Sequence, residues 1–148
     1  KEEETPNGAI LEGMHFLCAE DNELNAEILT ELLKMKGAEC TICENGQKVV
    51  ETFEQSVPGA YDMILMDVQM PVMNGYDAAR AIRRSLHKQA GTIPIIAMTA
   101  NAFSEDIRHS LTAGMNAHIS KPVDMMLLEK TIRSIKSGGG SETQADKE

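Results

Sequence analysis

At 148 residues the chain is long enough to bury one substantial core and too short for two, so a single domain is expected. Its 14 basic and 23 acidic side chains give a formal charge of −9, which disfavours direct contact with nucleic acid or anionic lipid. Aromatic residues are only 3% of a chain that is 42% hydrophobic, so the core must be aliphatic and rich in methionine.

No stretch approaches the roughly 18 to 20 consecutive apolar residues that a membrane-spanning helix needs. The start Lys1-Glu2-Glu3-Glu4 is the reverse of a basic signal-peptide start, so a cytoplasmic chain without membrane contact of its own is expected. The cysteines Cys18, Cys40 and Cys43 are odd in number, and two lie within apolar runs, which argues against a secreted disulfide framework. Cys40-x-x-Cys43 falls in a strand-like stretch with no second ligand pair and reads as small residues in or near a strand.

In chain order, residues 1–13 are acidic with Pro and Gly and read as a linker or disordered segment. A nearly unbroken apolar run at 14–19 predicts a strand buried on both faces. Asn22 then caps a helix carrying Leu24, Ile28, Leu29, Leu32 and Leu33. A second strand at 38–43 precedes a helix with Val49, Val50 and Phe53, and a third strand at 63–66 precedes one with Tyr76, Ala79, Ile82 and Leu86. The fourth strand, at 93–98, leads to Ile107 and Leu111 after Ser104. The fifth, at 117–119, leads to Leu128, Ile132 and Ile135 after Asp124. Residues 137–148 read as a flexible tail, which leaves 14–136 as the folded unit. Strict strand-helix alternation implies parallel strands joined by right-handed crossovers, hence an α/β doubly wound sandwich on a five-stranded sheet.

In such a sheet ligands bind beyond the C-terminal strand ends, where strand order reverses. The residues there are Glu20-Asp21 after the first strand, Asp67 after the third, Thr99-Ala100 after the fourth and Ser120-Lys121-Pro122 after the fifth. Taken singly, each has a plainer reading. Glu20-Asp21 suits a helix start, Asp67 a turn cap and Lys121 a solvated loop. Together they are a poor structural cluster, because two like charges about 4 Å apart repel by about 4 kcal/mol at an effective dielectric near 20. A divalent cation resolves this, and hard oxygen ligands without His or Cys point to Mg²⁺. Mg²⁺ and Lys121 would balance Glu20, Asp21 and Asp67, leaving a pocket able to receive a phosphoryl group. Asp67 is its natural acceptor, with Lys121, the Thr99 hydroxyl and the Ala100 amide on the remaining oxygens.

At these residues the sequence resembles the receiver domain of two-component signalling proteins. The matching segments are Ala19-Glu20-Asp21-Asn22, Met66-Asp67-Val68-Gln69-Met70-Pro71-Val72-Met73-Asn74-Gly75, Met98-Thr99-Ala100-Asn101-Ala102 and Ser120-Lys121-Pro122. Their style is similar to receivers fused to hybrid sensor histidine kinases. The resemblance implies a flavodoxin-like (βα)5 fold with Asp67 as phosphoacceptor. Glu20, Asp21, Asp67 and the Gln69 carbonyl would hold Mg²⁺, Lys121, its ammonium aimed inward by a typically cis Lys-Pro bond, would contact the phosphoryl group, and Thr99 would be the switch hydroxyl. It implies a phosphohistidine donor, either a histidine kinase dimerisation domain or a histidine phosphotransfer protein, with acetyl phosphate as a small-molecule substitute. The domain would promote its own phosphorylation and dephosphorylation without being a kinase, and would signal through the fourth helix, fifth strand and fifth helix. The parent chain would be a hybrid kinase whose cytoplasmic part includes this domain.

One position departs from the family pattern. Three residues before the Lys, where Tyr or Phe is usual, stands His118, a smaller and chargeable switch residue. Two rival chemistries fit less well. Aspartyl-phosphate phosphatases of the haloacid dehalogenase type place a second Asp two residues after the nucleophile, where this chain has Gln69. An FMN module needs a phosphate loop rich in Ser, Thr and Gly after the first strand, where this chain has Glu20-Asp21.

Overall fold

The computed structural model describes residues 10–100 and 104–136, with the backbone alone at 104–107. Five strands and five helices alternate as β1 His15–Ala19, α1 Glu23–Met35, β2 Glu39–Cys43, α2 Gly46–Gln55, β3 Met63–Asp67, α3 Gly75–Arg84, β4 Ile95–Thr99, α4 Ser104–Thr112, β5 Ala117–Ser120 and α5 Met125–Lys136. Every strand pairing is parallel, in the order β2-β1-β3-β4-β5. This is the expected doubly wound sandwich.

Along each strand alternate side chains enter opposite faces. Leu17, Ile64, Met66, Ile95 and Ala97 pack on one side with Val49, Val50 and Phe53 of α2 and Ala78, Ala79 and Ile82 of α3. Phe16, Cys18, Met63, Leu65, Ile96, Met98 and Ile119 pack on the other with Leu29 and Leu33 of α1 and Leu128 and Ile132 of α5. Strands covered on both faces have no polar side, which is the physical basis of the unbroken apolar runs. Among the largest fully buried side chains only Phe16 and Phe53 are aromatic; the rest are Leu, Ile or Met.

Asparagine opens three helices. Asn22, Asn45 and Asn74 accept hydrogen bonds from the backbone N–H of Asn25, Lys48 and Asp77, each 2.9 Å long, and a cap of this kind contributes about 1 kcal/mol. Asp124 Oδ1 accepts from the Met126 and Leu127 amides at the start of α5. Among the described residues no helix is long and apolar enough to cross a membrane.

Ahead of β1, Leu11 is fully buried in the β1–α1–α5 core and Gly13 N–H donates to the Gly37 carbonyl at 2.9 Å; residues 1–9 and the tail 137–148 lie outside the described residues. Two expectations shift. Leu86 falls beyond the end of α3 and is fully exposed rather than part of its apolar stripe. The α1 pattern merges two stripes: Leu29 and Leu33 are buried, whereas Leu24 and Ile28 face solvent.

The passage from β3 to α3 is closed by a tight backbone approach. Gly75 N–H donates to the Val68 carbonyl at 2.8 Å, and a Cβ at Gly75 would lie 2.4 Å from the Asp67 carbonyl oxygen and 2.9 Å from Val68 Cα. Backbone cannot swing aside as a side chain can. Gly75→Ala is therefore expected to destabilise the chain by about 1–3 kcal/mol, read by thermal unfolding; an unchanged melting temperature would contradict this close approach.

Candidate functional site

Strand order reverses between β1 and β3, since the chain leaves β1 for β2 on one side and returns to β3 on the other. At the C-terminal ends of these two central strands stand Glu20-Asp21 and Asp67. The Glu20 amide extends the β1 ladder by donating to the Cys43 carbonyl at 3.0 Å. Glu20 and Asp67 are both 4% exposed, while Asp21 is open to solvent. Carboxylate oxygens of Glu20, Asp21 and Asp67 lie within 4.8 Å of one another.

Lys121 arrives from the end of β5. Its backbone N–H donates to the Thr99 carbonyl at 2.8 Å, and the Lys121–Pro122 peptide is cis. The ammonium Nζ lies 3.0 Å from Asp67 Oδ2 and 3.1 Å from Glu20 Oε1, so one cation bridges the two buried carboxylates. Asp67 Oδ1 accepts from the Gln69 amide at 3.2 Å. Burial pushes the Asp67 carboxyl above its ordinary range; the Lys121 ammonium opposes this and the Glu20 charge reinforces it. Burial pulls Lys121 down, but the two carboxylates outweigh it and hold the ammonium above its usual value.

Three carboxylates against one ammonium leave the cleft with a surplus of negative charge. The donors are hard oxygens with one open, solvent-facing carboxylate at Asp21, a set that fits Mg²⁺ with retained waters.

Thr99 ends β4, is 8% exposed and stands in register with Ser120. Ala100 follows it on the surface, and Asn101 and Ala102 of the matching segment lie outside the described residues. His118 is half-buried on β5 opposite Ala97, and desolvation lowers its pKa, which favours the neutral ring. Gln69 is exposed, with its amide committed to Asp67. Tertiary structure thus gathers Glu20, Asp21, Asp67 and Lys121 around one point, while Thr99 ends the strand beside Asp67.

Sequence reasoning missed how the loop after Asp67 is held. Met73 N–H donates to the Pro71 carbonyl at 2.7 Å around Val72, whose φ of 69° is unusual for a β-branched residue. Gly46 at the start of α2 donates to the Met73 carbonyl at 3.1 Å, and a Cβ there would stand 2.3 Å from that oxygen. The available signal was the Asn-Gly pair, which opens a helix at 45–46 and at 74–75, while a third, at 7–8, lies outside the described residues.

The receiver domain of the histidine kinase CKI1 from Arabidopsis thaliana, solved with Mg²⁺ and BeF3⁻, is 31% identical and superposes with a TM-score of 0.76 over 88% of this chain and 95% of that one. The receiver domain of the response regulator Ssk1 from Saccharomyces cerevisiae, solved with the histidine phosphotransfer protein Ypd1, is 32% identical with a TM-score of 0.72 over 82% and 87%. "Probable histidine kinase 2" of Oryza sativa is 34% identical over 139 residues, 86% of this chain but only 13% of that protein. The chain therefore spans a small fraction of the curated relative it matches. The family model of the response regulator receiver domain covers residues 16–133, from the second residue of β1 into the last turn of α5 and so across every strand end that supplies the cleft: this chain belongs to the receiver domain family.

Proposed function

We propose that the chain is the phosphoacceptor of a histidine-to-aspartate phosphorelay, taking a phosphoryl group from a partner's phosphohistidine onto Asp67. The observation that carries the reading is the buried Asp67 carboxylate, tied at Oδ2 to Lys121 Nζ (3.0 Å) and clustered with Glu20 and Asp21. Asp67 attacks phosphorus in line, the P–N bond to the donor imidazole breaks, and an acyl phosphate forms. The Lys121 ammonium, freed from its ion pairs, neutralises one phosphoryl oxygen, and the Thr99 hydroxyl with the Ala100 amide binds another. Mg²⁺ held by Glu20, Asp21, Asp67 and the Gln69 carbonyl would supply the remaining neutralising charge. The chain's own contribution is positioning and electrostatics, so the domain promotes its own phosphorylation and is not a kinase.

The phosphodonor docks beside α1. Leu24 and Ile28 are exposed there, and an open groove of about 310 Å³ lined by Ile28, Leu29, Leu32 and Val123 ends at Glu20 and Lys121. An apolar strip leading to the acceptor suits a helical histidine phosphotransfer protein or kinase dimerisation domain. The Ssk1 receiver solved with Ypd1 supports that partner class. Output passes through Thr99 and His118 to the α4–β5–α5 surface, and the domain works in the cytoplasm as part of a hybrid kinase.

The test is transfer from a phosphorylated histidine phosphotransfer protein with Mg²⁺ present. Radiolabel is expected on this chain and lost from the donor, whereas retention on the donor would refute the reading. Lys121→Ala is expected to keep Mg²⁺ binding, because none of the oxygen ligands changes, yet to slow phosphorylation by at least about tenfold. Wild-type phosphorylation and output from that variant would remove Lys121 from its role.

A further inference from the structure

We infer that Lys36 is a latch that holds α5 in one of two rotations about its own axis. Among the described residues three carboxylates are buried: Glu20, Asp67 and Glu129. The first two share Lys121 in the acceptor cleft, whereas Glu129 stands on α5 and takes no part there. It is 2% exposed, and its Oε2 lies 3.2 Å from Lys36 Nζ. That oxygen accepts no hydrogen bond, so the ammonium meets it as a charge alone. A carboxylate taken out of water in this way depends on its one cation, and losing the pair would leave the charge uncompensated.

The sequence of α5 supplies the alternative. Its first four residues, Met125 to Leu128, are all apolar and, at about 100° per residue, encircle the helix. Leu128, Glu129 and Ile132 are buried, while Leu127 is 43% exposed and Thr131 half-buried. Turning α5 by one residue would exchange Leu128, Glu129 and Ile132 for Leu127, Leu128 and Thr131. The carboxylate then reaches water and a leucine is buried in its place; against the turn stand the packing of Ile132 and the ion pair. With Lys36 present, the ion pair favours the observed rotation. Without it, desolvation of an unpaired carboxylate favours the other.

Lys36 is placed to act as such a latch. It caps the C-terminus of α1, its backbone N–H donating to the Leu33 carbonyl at 3.0 Å, and Gly37 with a φ of 83° turns the chain toward β2. The backbone is thus fixed, whereas the side chain is one-third exposed and can be drawn away to solvent or to a bound group. The pair joins the helix assigned above to the phosphodonor with a helix of the output surface. Coupling between those two surfaces rests on that functional reading; the latch itself does not.

The experiment couples glycine ethyl ester to accessible carboxylates of the folded chain with a carbodiimide and locates the amides by peptide mapping. Glu129 is expected to stay unlabelled in the parent and in Lys36→Arg. Lys36→Met should remain folded, melt about 5 °C lower and label at Glu129 at least about tenfold more. Adding Glu129→Leu should bring its melting temperature back to the parental value or above, since no charge is left to expel. Leu127→Ala should have little effect in the parent but lower the melting temperature of Lys36→Met by about a further 5 °C, because only the turned helix buries Leu127. A shielded Glu129 in folded Lys36→Met, no rescue by Glu129→Leu, or an equal effect of Leu127→Ala in both backgrounds would each overturn the latch. Failure of Lys36→Met to fold would overturn it too, because a helix free to turn has an escape from the buried charge. Acetyl phosphate labelling of Asp67 in the same samples reports on the phosphoacceptor reading separately.

Discussion

Asp67→Asn is expected to take up no phosphoryl group from acetyl phosphate and Mg²⁺, while the parent chain gains one by intact mass. Asparagine keeps the shape of the side chain and removes the nucleophilic charge, so the loss should be complete rather than partial. In magnesium-free buffer the same variant is expected to melt higher than the parent. Burial raises the Asp67 pKa in the folded chain, so protonation stabilises the fold at low pH, and that stability is lost as pH rises through the folded-state value. At neutral pH the ionised carboxylate is thus a net cost, which a neutral isostere removes. The melting advantage should shrink as the pH falls toward the ordinary carboxylate range, where the parent is protonated too. A lower melting temperature for Asp67→Asn at pH 7 without metal would mean that the ion pair with Lys121 at 3.0 Å outweighs desolvation.

Mg²⁺ should stabilise the parent far more than the variant. At about 100 times its dissociation constant a ligand that binds only the folded state adds about 2.7 kcal/mol, or roughly 5–10 °C in melting temperature for a domain of this size. The parent is expected to show that rise and Asp67→Asn little of it. Asp21→Asn isolates the metal contribution, because Asp21 is exposed and its substitution disturbs no packing. It should weaken Mg²⁺ by at least about tenfold and slow acetyl phosphate labelling in step. Chelation by EDTA should bring parental labelling to background. A parent chain that neither gains stability from Mg²⁺ nor needs it for labelling would leave the three clustered carboxylates without their cation.

The fold was legible because each strand lies between two helical layers, and a strand without a polar side leaves an unbroken apolar signature, as at Met63–Asp67 and Ile95–Thr99. The legible caps, Asn22 and Asp124, stand just ahead of strong apolar helices, whereas Asn45 and Asn74 precede Gly and resemble ordinary turns. The split of α1 into a buried stripe through Leu29 and Leu33 and an exposed one through Leu24 and Ile28 was not legible, because periodicity reports that residues share a helix face and not what covers that face. Helix length was misread at Leu86 for a related reason. Arg83, the penultimate residue of α3, has its guanidinium engaged by the Gly114 and Ala90 carbonyls and the Asn116 side chain, none of which is a local signal.

The sequence by itself determined which chemical groups stand at the strand ends, because strand-helix alternation admits one parallel architecture and that architecture has one reactive edge. It also determined the surplus of acid over base there. Only the tertiary structure decided that Lys121 bridges Asp67 and Glu20, that Gln69 spends its amide on Asp67, and that Gly46 and Gly75 clamp the intervening loop. It also separated Cys18, Cys40 and Cys43 into three environments. Such choices depend on distances between residues far apart along the chain, and those distances exist only once the sheet has closed its register.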